Sequence, residues 1–334
     1  MIDILSLNLD ELSRELAEFN EPKFRAKQIY EWLHIKKVTA FSEMTNVSAQ
    51  LRENLSAKFC IHSLNIRKRL VSSIDDTVKY LYEFPDGNCI ETVFMSHKHG
   101  NSLCVSTQVG CRIGCKFCAS AEAGFVRNLE PSEILLQLYR AEKEINSVVL
   151  MGVGEPLDNF DNVVKFLELL QTSMSLRHVS LSTCGLADKI DRLAELKLGL
   201  TLSISLHAAN DKDRSAIMPV NNRFGLERLI NSCGAYFKAT GRRISYEYAL
   251  MENINDSAAH TSEFVNLLKR LPKGSYHVNL IPINPIVGAG SARPPNMKYI
   301  KEFAELLEKS GVNVTIRRTL GADISAACGQ LRRG

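Results

Sequence analysis

Apolar residues recur at helical spacing over roughly the first sixty positions and at alternate positions after them. Leu9, Leu12, Leu16 and Phe19 predict one amphipathic helix, Pro22 interrupts it, and Phe24, Ile29, Trp32 and Leu33 mark a second. A third is expected from about Val47 to Phe59, with Leu51, Leu55 and Phe59 on one face. From about Asn65 the period becomes two. Val78, Tyr80, Tyr82 and Phe84 alternate with polar residues, Pro85-Asp-Gly-Asn88 carries turn chemistry, and Ile90, Thr92 and Phe94 resume the alternation, which predicts a β-hairpin. Glu91 faces opposite to Ile90 in that pattern, so it is expected at the solvent.

The remainder alternates strand and helix, which argues for parallel strands joined by crossover helices. Candidate strands are 103–107, 148–152, 179–183, 200–206, 244–250 and 277–282. A helix is expected from Pro131 to Glu144, because Pro131 suits a first turn and Glu130 and Glu133 suit the positive N-terminus. Six such units predict an α/β fold, a partial (βα)6 barrel. Three domains follow: a helical accessory unit over 1–62, a hairpin extension over 63–98, and the barrel core with a C-terminal segment over 99–334. In such sheets ligands sit beyond the carboxyl ends of the strands.

With 334 residues, 45% hydrophobic and 23% charged, the composition is that of a globular protein with a full core. A net charge of +4 is compatible with a nucleic-acid partner without requiring one. Local clusters are more suggestive: Arg67-Lys68-Arg69, Arg242-Arg243, Arg317-Arg318 and Arg332-Arg333, together with Lys23, Arg25, Lys27, Lys36 and Lys37 on the helical unit. Each also suits a solvated face. Met1 to Phe19 carries acidic residues and helical periodicity instead of a secretory signal, and no run of about 18 apolar residues occurs. The nine cysteines are an odd, clustered set, expected of reduced thiols in a cytosolic protein with a metal cofactor.

Three of those cysteines carry the chemistry. Cys111-Arg-Ile-Gly-Cys115-Lys-Phe-Cys118 places three soft ligands within eight residues. A closed zinc site wants four ligands, so three thiolates in a loop suit an iron–sulfur cluster with one iron left open. A zinc knuckle completed by a distant His or Cys, and a redox pair formed by Cys115 and Cys118, remain alternatives. Beyond the loop, Gly154-Glu155-Pro156 follows one strand, Ser182-Thr-Cys another, and Ser205-Leu206-His207 a third. Asn284 ends the sixth strand, and Asp323-Ile-Ser-Ala-Ala-Cys328-Gly-Gln-Leu331 lies near the end of the chain.

The cysteine spacing resembles the radical S-adenosylmethionine (SAM) superfamily, and Phe117 before the third cysteine fits its loop. The full order of motifs is similar to the RlmN/Cfr family of radical SAM RNA methyltransferases, over nearly the whole length, with the terminal cysteine phrase the most specific part. The resemblance implies a radical SAM barrel, a 4Fe–4S cluster on Cys111, Cys115 and Cys118, and SAM held by Gly154, Glu155, Ser182, Ser205, Leu206, His207 and Asn284. It implies that Cys328 takes a methyl group from one SAM, and that a radical made from a second SAM activates that methyl for addition to an adenine. Cys104 would then form a transient disulfide with Cys328, and Glu91 would accept a proton. These roles for Glu91 and Cys104 come from the resemblance alone.

The Gly-Glu-Pro156 phrase is similar to the RlmN branch, in which carbon 2 of an adenosine in the peptidyl-transferase centre of 23S rRNA is methylated and some members also act on tRNA. The Cfr branch, acting on carbon 8 of the same adenosine, is the alternative. Further implications are a flavodoxin- or ferredoxin-like electron donor, a monomer, a cytoplasmic location and no membrane association. Two other classes stay open: a different radical SAM reaction, which would not need the Cys104–Cys328 pair, and a zinc-binding RNA module without catalysis.

Overall fold

The computed structural model describes residues 1–98, 100–122, 124–286 and 292–332; of the basic clusters, Arg333 lies outside the described residues. The three N-terminal helices form as expected, at Leu9–Ala17, Phe24–His34 and Ala49–Lys58. The first is closed by a capping box in which Asn8 Oδ1 accepts from Glu11 N and Glu11 Oε2 accepts from Asn8 N, both at 2.8 Å. Ile2–Asp3 pairs in parallel with Phe59–Cys60 and ties the two ends of the unit together.

A single sheet of ten strands follows, numbered here in chain order: β1 Asn65–Val71, β2 Val78–Glu83, β3 Cys89–His97, β4 Gly100–Cys104, β5 Ser147–Leu150, β6 Val179–Thr183, β7 Thr201–Ser205, β8 Ile244–Leu250, β9 Tyr276–Pro282 and β10 Val314–Ile316. They lie side by side in that same order. β1 to β4 are antiparallel and β4 to β10 parallel, an open α/β sheet with crossover helices between the parallel strands. All six expected parallel strands are present, and β10 adds a seventh that its three residues had hidden. The expected hairpin is β2 and β3, with β1 as an additional edge strand. The helix after Pro131 ends at Tyr139, five residues short of the expectation.

The strands alternate in a way that prepares the site. On β8, Ile244, Tyr246, Tyr248 and Leu250 face the helices, where Tyr248 stacks on Phe264 with ring centroids 4.6 Å apart. The alternate residues Ser245, Glu247 and Ala249 face the other way, beside Ser203 and Ser205 of β7 and Asn279 of β9. The outer face is an apolar core and the inner face a polar floor.

Glu91 departs from the solvent-facing expectation. It is 8% exposed, because β3 is covered on both faces: the C-terminal segment, here called the strap (321–332), lies over its inner side. Alternation marks a half-exposed strand only where nothing covers its polar face, and the cover here comes from the far end of the chain.

The helical unit meets the core through polar contacts. Ser132 N donates to Ser6 Oγ at 3.1 Å, and His34 Nδ1 lies 2.9 Å from Tyr139 Oη. Burial pushes His34 down to about 4, and burial together with the Arg214 charge pushes His207 down to about 3. Both imidazoles are therefore neutral in the fold at pH 7, while in the unfolded chain they take up protons near pH 6.5. Below that pH the unfolded state binds more protons, so this stability, present above about 6.5, is lost as pH falls. The loss is about 1.4 kcal/mol per pH unit for each imidazole. Urea midpoints at pH 7 and 5.5 are expected to show a drop that is reduced by about half in His34→Gln.

Candidate active site

Seven parallel strands place their carboxyl ends together, and the chemistry-bearing residues are found there. The strand Gln108–Gly110 follows β4 and pairs with Phe125–Asn128, and the cysteine loop is the arch between them. Gly110 has φ +77°, and a Cβ there would lie 1.7 Å from Gly124 O, so only glycine closes the arch. Cys111 N bonds to Gly124 O at 3.2 Å, Lys116 N to Ile217 O at 3.0 Å and Cys118 N to Cys115 O at 3.2 Å. The ring of Phe117 stands edge-on to His207 with centroids 4.9 Å apart.

One open cavity is lined by Cys111, Cys115 and Cys118 together with Gly154, Glu155, Ser182, Ser205, His207, Asn284 and Cys328. Ten of the eleven residues expected for cluster, cofactor and carrier thus share one wall. The exception is Leu206, whose side chain is buried in the core and whose carbonyl accepts from Arg214 Nε. Gly154 has φ +104° and presses against Gln108, whose Oε1 accepts from Glu155 N at 2.9 Å. The Glu155 carboxylate is buried and accepts from Leu157 N at 3.0 Å and Cys184 N at 2.7 Å, while burial raises its pKa. Ser182 Oγ and Ser205 Oγ are 3.4 Å apart. His207 Nδ1 accepts from Ala249 N at 3.0 Å, which puts the proton of the neutral ring on Nε2.

The donor set fits an iron–sulfur cluster. Burial pushes the Cys111 thiol up to about 12 and raises Cys115 and Cys118 as well, so these sulfurs need a cationic group to become thiolates. Three thiols in one short loop leave a position open, which suits a cluster with one open iron better than a closed four-ligand zinc site. Glu247, on the same cavity wall, keeps a buried Oε2 without a hydrogen-bond partner, an anionic acceptor suited to the ammonium of an amino acid.

The strap closes the site. Ala119 N donates to Gly329 O at 2.8 Å, Ser120 Oγ to Leu331 O at 2.6 Å, and Asn284 Nδ2 to Cys328 O at 3.1 Å. Cys328 is exposed, and both it and Cys104 are free thiols. A second cavity is lined by Cys104, Cys328, Met151 and Arg317, and Cys328 and Arg317 belong to both cavities. Cys104 pairs across the strands with Val93, two residues from Glu91, so Glu91 and Cys104 share the face under the strap. Glu91 itself contacts Lys79 and Arg332 N.

Sequence reasoning missed Arg214, Glu247 and Lys79, and took Arg317 only as part of a basic cluster. Arg317 stands between the two cavities with Nη1 3.6 Å from Glu247 Oε2. A lone charged residue in a strand or short helix carries no signal that distinguishes it from a solvated one; only the strand phase of Glu247, on the polar face of β8, pointed inward.

The description of the radical SAM superfamily matches residues 105–265, and that of the ribosomal RNA large subunit methyltransferase N-terminal domain matches residues 2–61. The probable dual-specificity RNA methyltransferase RlmN of Clostridium novyi is 49% identical, over 100% of this chain and 98% of its own. Its namesake in Lachnoclostridium phytofermentans is 48% identical, over 99% and 94%. A crystal structure of a radical SAM methyltransferase from Sphaerobacter thermophilus superposes with a TM-score of 0.93 at 36% identity, covering 99% of each chain. Streptococcus suis SuiB bound to S-adenosylmethionine shares the fold alone, with a TM-score of 0.50 at 14% identity over 65% of this chain and 50% of its own.

The arch geometry leads to a direct test. Gly110→Ala forces the cysteine loop away from Gly124, so iron bound after anaerobic reconstitution is expected to fall from about four atoms per chain to below about one, with loss of the brown colour. Retention of full iron would show that the arch is not what positions the three sulfurs.

Proposed function

The chain belongs to the RlmN family of radical SAM RNA methyltransferases, and from that premise we propose that it methylates carbon 2 of an adenosine in the peptidyl-transferase centre of 23S rRNA, and of an adenosine in tRNA, with Cys328 as the methyl carrier. The observation that carries this reading is the place of Cys328, an exposed thiol on the wall shared by the cluster cavity and the Cys104 cavity. A 4Fe–4S cluster and SAM are the cofactors; bound, they supply the electron, the methyl group and the hydrogen-abstracting radical that an electron-poor ring carbon requires.

The chain's own residues do the rest. Cys111, Cys115 and Cys118 hold the cluster; Glu155, Ser182, Ser205 and His207, with the backbone of Gly154 and Leu206 and the amide of Asn284, hold SAM. Cys328 attacks the methyl of SAM as a thiolate, forming an S–C bond as the methyl–sulfonium bond breaks. Once the carrier carbon is joined to the adenine, Glu91 accepts the proton lost from the ring carbon, and the adduct's unpaired electron would return to the cluster. Cys104 then attacks Cys328: an S–S bond forms, the S–CH2 bond breaks, and its electron pair goes to the methylene carbon, which takes a proton to become methyl. Arg317 lines the cavity of both thiols, and its pKa is raised by Cys328 first and Glu247 after it.

Pro156, on the cavity wall beside Glu155, supports carbon 2 over carbon 8 through the Gly-Glu-Pro phrase of the RlmN branch. The dual-specificity name of the relatives supports two RNA substrates. The helical unit, with exposed Lys23, Lys27 and Lys36, is the RNA-gripping domain ahead of the hairpin and barrel. The enzyme works as a monomer in the cytoplasm with a flavodoxin- or ferredoxin-like donor; among the described residues no helix is long and apolar enough to cross a membrane.

Mass spectrometry of nucleosides from unmodified 23S rRNA, incubated anaerobically with reconstituted enzyme, SAM and reductant, is expected to show 2-methyladenosine. 8-Methyladenosine instead would overturn the assignment to carbon 2. Cys328→Ala is expected to reduce methylated adenosine to background while iron content is retained; methylation surviving that change would sink the carrier role.

A further inference from the structure

β2 and β3 are antiparallel neighbours in which Leu81 pairs with Glu91 and Lys79 with Val93. Lys79 and Glu91 are therefore diagonal neighbours on the face under the strap. Lys79 Nζ lies 3.0 Å from Glu91 Oε1 and also donates to Ser325 O at 3.0 Å. The other carboxylate oxygen, Oε2, accepts from Arg332 N at 2.9 Å. Both side chains of the ion pair are only 10% exposed. A buried ammonium is costly unless fully partnered, so this lysine is not a surface charge that happens to lie nearby. Ser325 has φ +51°, a left-handed kink three residues before Cys328, and its carbonyl is the one Lys79 holds.

Glu91 does not open onto the cavity of the two thiols. It lines a third cavity with Lys68, Lys79, Ser325 and Arg332, whereas Cys104 and Cys328 line the second with Ala326 and Ala327. The strap separates them. To reach a ring carbon joined to Cys328, the carboxylate must give up its bond to Arg332 N, and what then holds it in place is Lys79.

We propose that Lys79 is a positioning residue of the release step: one ammonium fixes Glu91 Oε1 and the Ser325 carbonyl together, so that Oε2 faces the adenine carried on Cys328. The proposal rests on the reading of Glu91 as proton acceptor and Cys328 as carrier. In the step it serves, the ring carbon's hydrogen leaves as a proton to Glu91, the C–H bonding pair stays in the ring, and the unpaired electron of the radical adduct would return to the 4Fe–4S cluster that supplied it. Formation of the methyl on Cys328 precedes this step and does not use Lys79.

The test compares holoenzyme of wild type, Lys79→Met and Lys79→Arg with SAM, reductant and 23S rRNA. Three quantities are read: methyl on the Cys328 peptide, covalent protein–RNA species on a denaturing gel, and methyladenosine turnover. Lys79→Met is expected to methylate Cys328 to the wild-type extent, to lose at least roughly tenfold in turnover, and to accumulate the covalent species; Lys79→Arg is expected to clear it and recover much of the rate. Unchanged turnover would overturn the proposal. So would a loss of Cys328 methylation in Lys79→Met, or a turnover defect without accumulation, since a strap that has merely lost its order gives those results. If wild type itself carries no methyl on Cys328, the carrier reading falls first, and this proposal falls with it.

Discussion

Polar groups on the inner face of the sheet must find partners away from water, and at the ends of β6 and β7 Arg214 meets that constraint for three carbonyls at once. Its side chain is fully buried. Nε donates to Leu206 O at 3.1 Å, Nη2 to Cys184 O at 2.6 Å and Ser205 O at 3.1 Å, and Nη1 to Asn221 Oδ1 at 3.0 Å. The guanidinium keeps its charge in spite of burial. Those carbonyls belong to the segments that carry Ser182, Ser205 and His207, so the spacing of the cofactor wall depends on one side chain. His207 is held by other partners. Its φ of +57° is unusual for a residue with a Cβ, and it is held by Asn255 Nδ2, which donates to His207 O at 2.7 Å, and by the Ala249 N bond to its ring. The nearby positive charge joins burial in keeping that ring neutral.

The strap meets the same requirement with borrowed partners. Its regular structure is a single 3-10 turn at Ala322–Ile324, so its course is set by groups from elsewhere. Asp323 accepts from Ser72 Oγ at 2.7 Å and Ser73 N at 2.9 Å, and Asp75 Oδ2 accepts from Gly321 N at 2.8 Å. The turn between β1 and β2 thus grips the start of the strap, and the cysteine loop grips its end through Ala119 and Ser120. Strands that look like an appendage to the barrel are, in physical terms, the other jaw of the site. A thiol on a segment with so little secondary structure is held accurately only by such a surrounding set of bonds.

What was legible in the sequence follows from this division. Local periodicity identified the helices, the β2–β3 hairpin and the six longer parallel strands, because each element's apolar side faces one packed core. The cysteine loop was legible because three ligands are adjacent in the chain. Glu91 was misplaced because its cover, the strap, is some 240 residues away in sequence, and alternation carries no information about cover of that kind. Lys79, Arg214 and Glu247 escaped for the same reason: each is a charge whose partner lies on another element. β10 escaped because three residues make no period, and the helix after Pro131 was overextended because Arg140 to Glu144 is polar enough to continue a helix and nothing in it signals a stop.

The two thiols of the proposed reaction occupy unequal environments, and the inequality has a use. Cys328 is exposed on the strap, open to a methyl donor from one cavity and to a second cavity on its other side. Cys104 is 7% exposed at the end of β4, and burial, with Cys328 after it, pushes its thiol up to about 12. A thiol that stays protonated is a poor nucleophile, so burial keeps Cys104 unreactive, as the proposed role of a resolver that acts last requires. Arg317, which lines the second cavity with both thiols, is the nearby positive charge that opposes burial at Cys104. Burial and charge at Cys104 thus fit the proposed order, carrier first and resolver last.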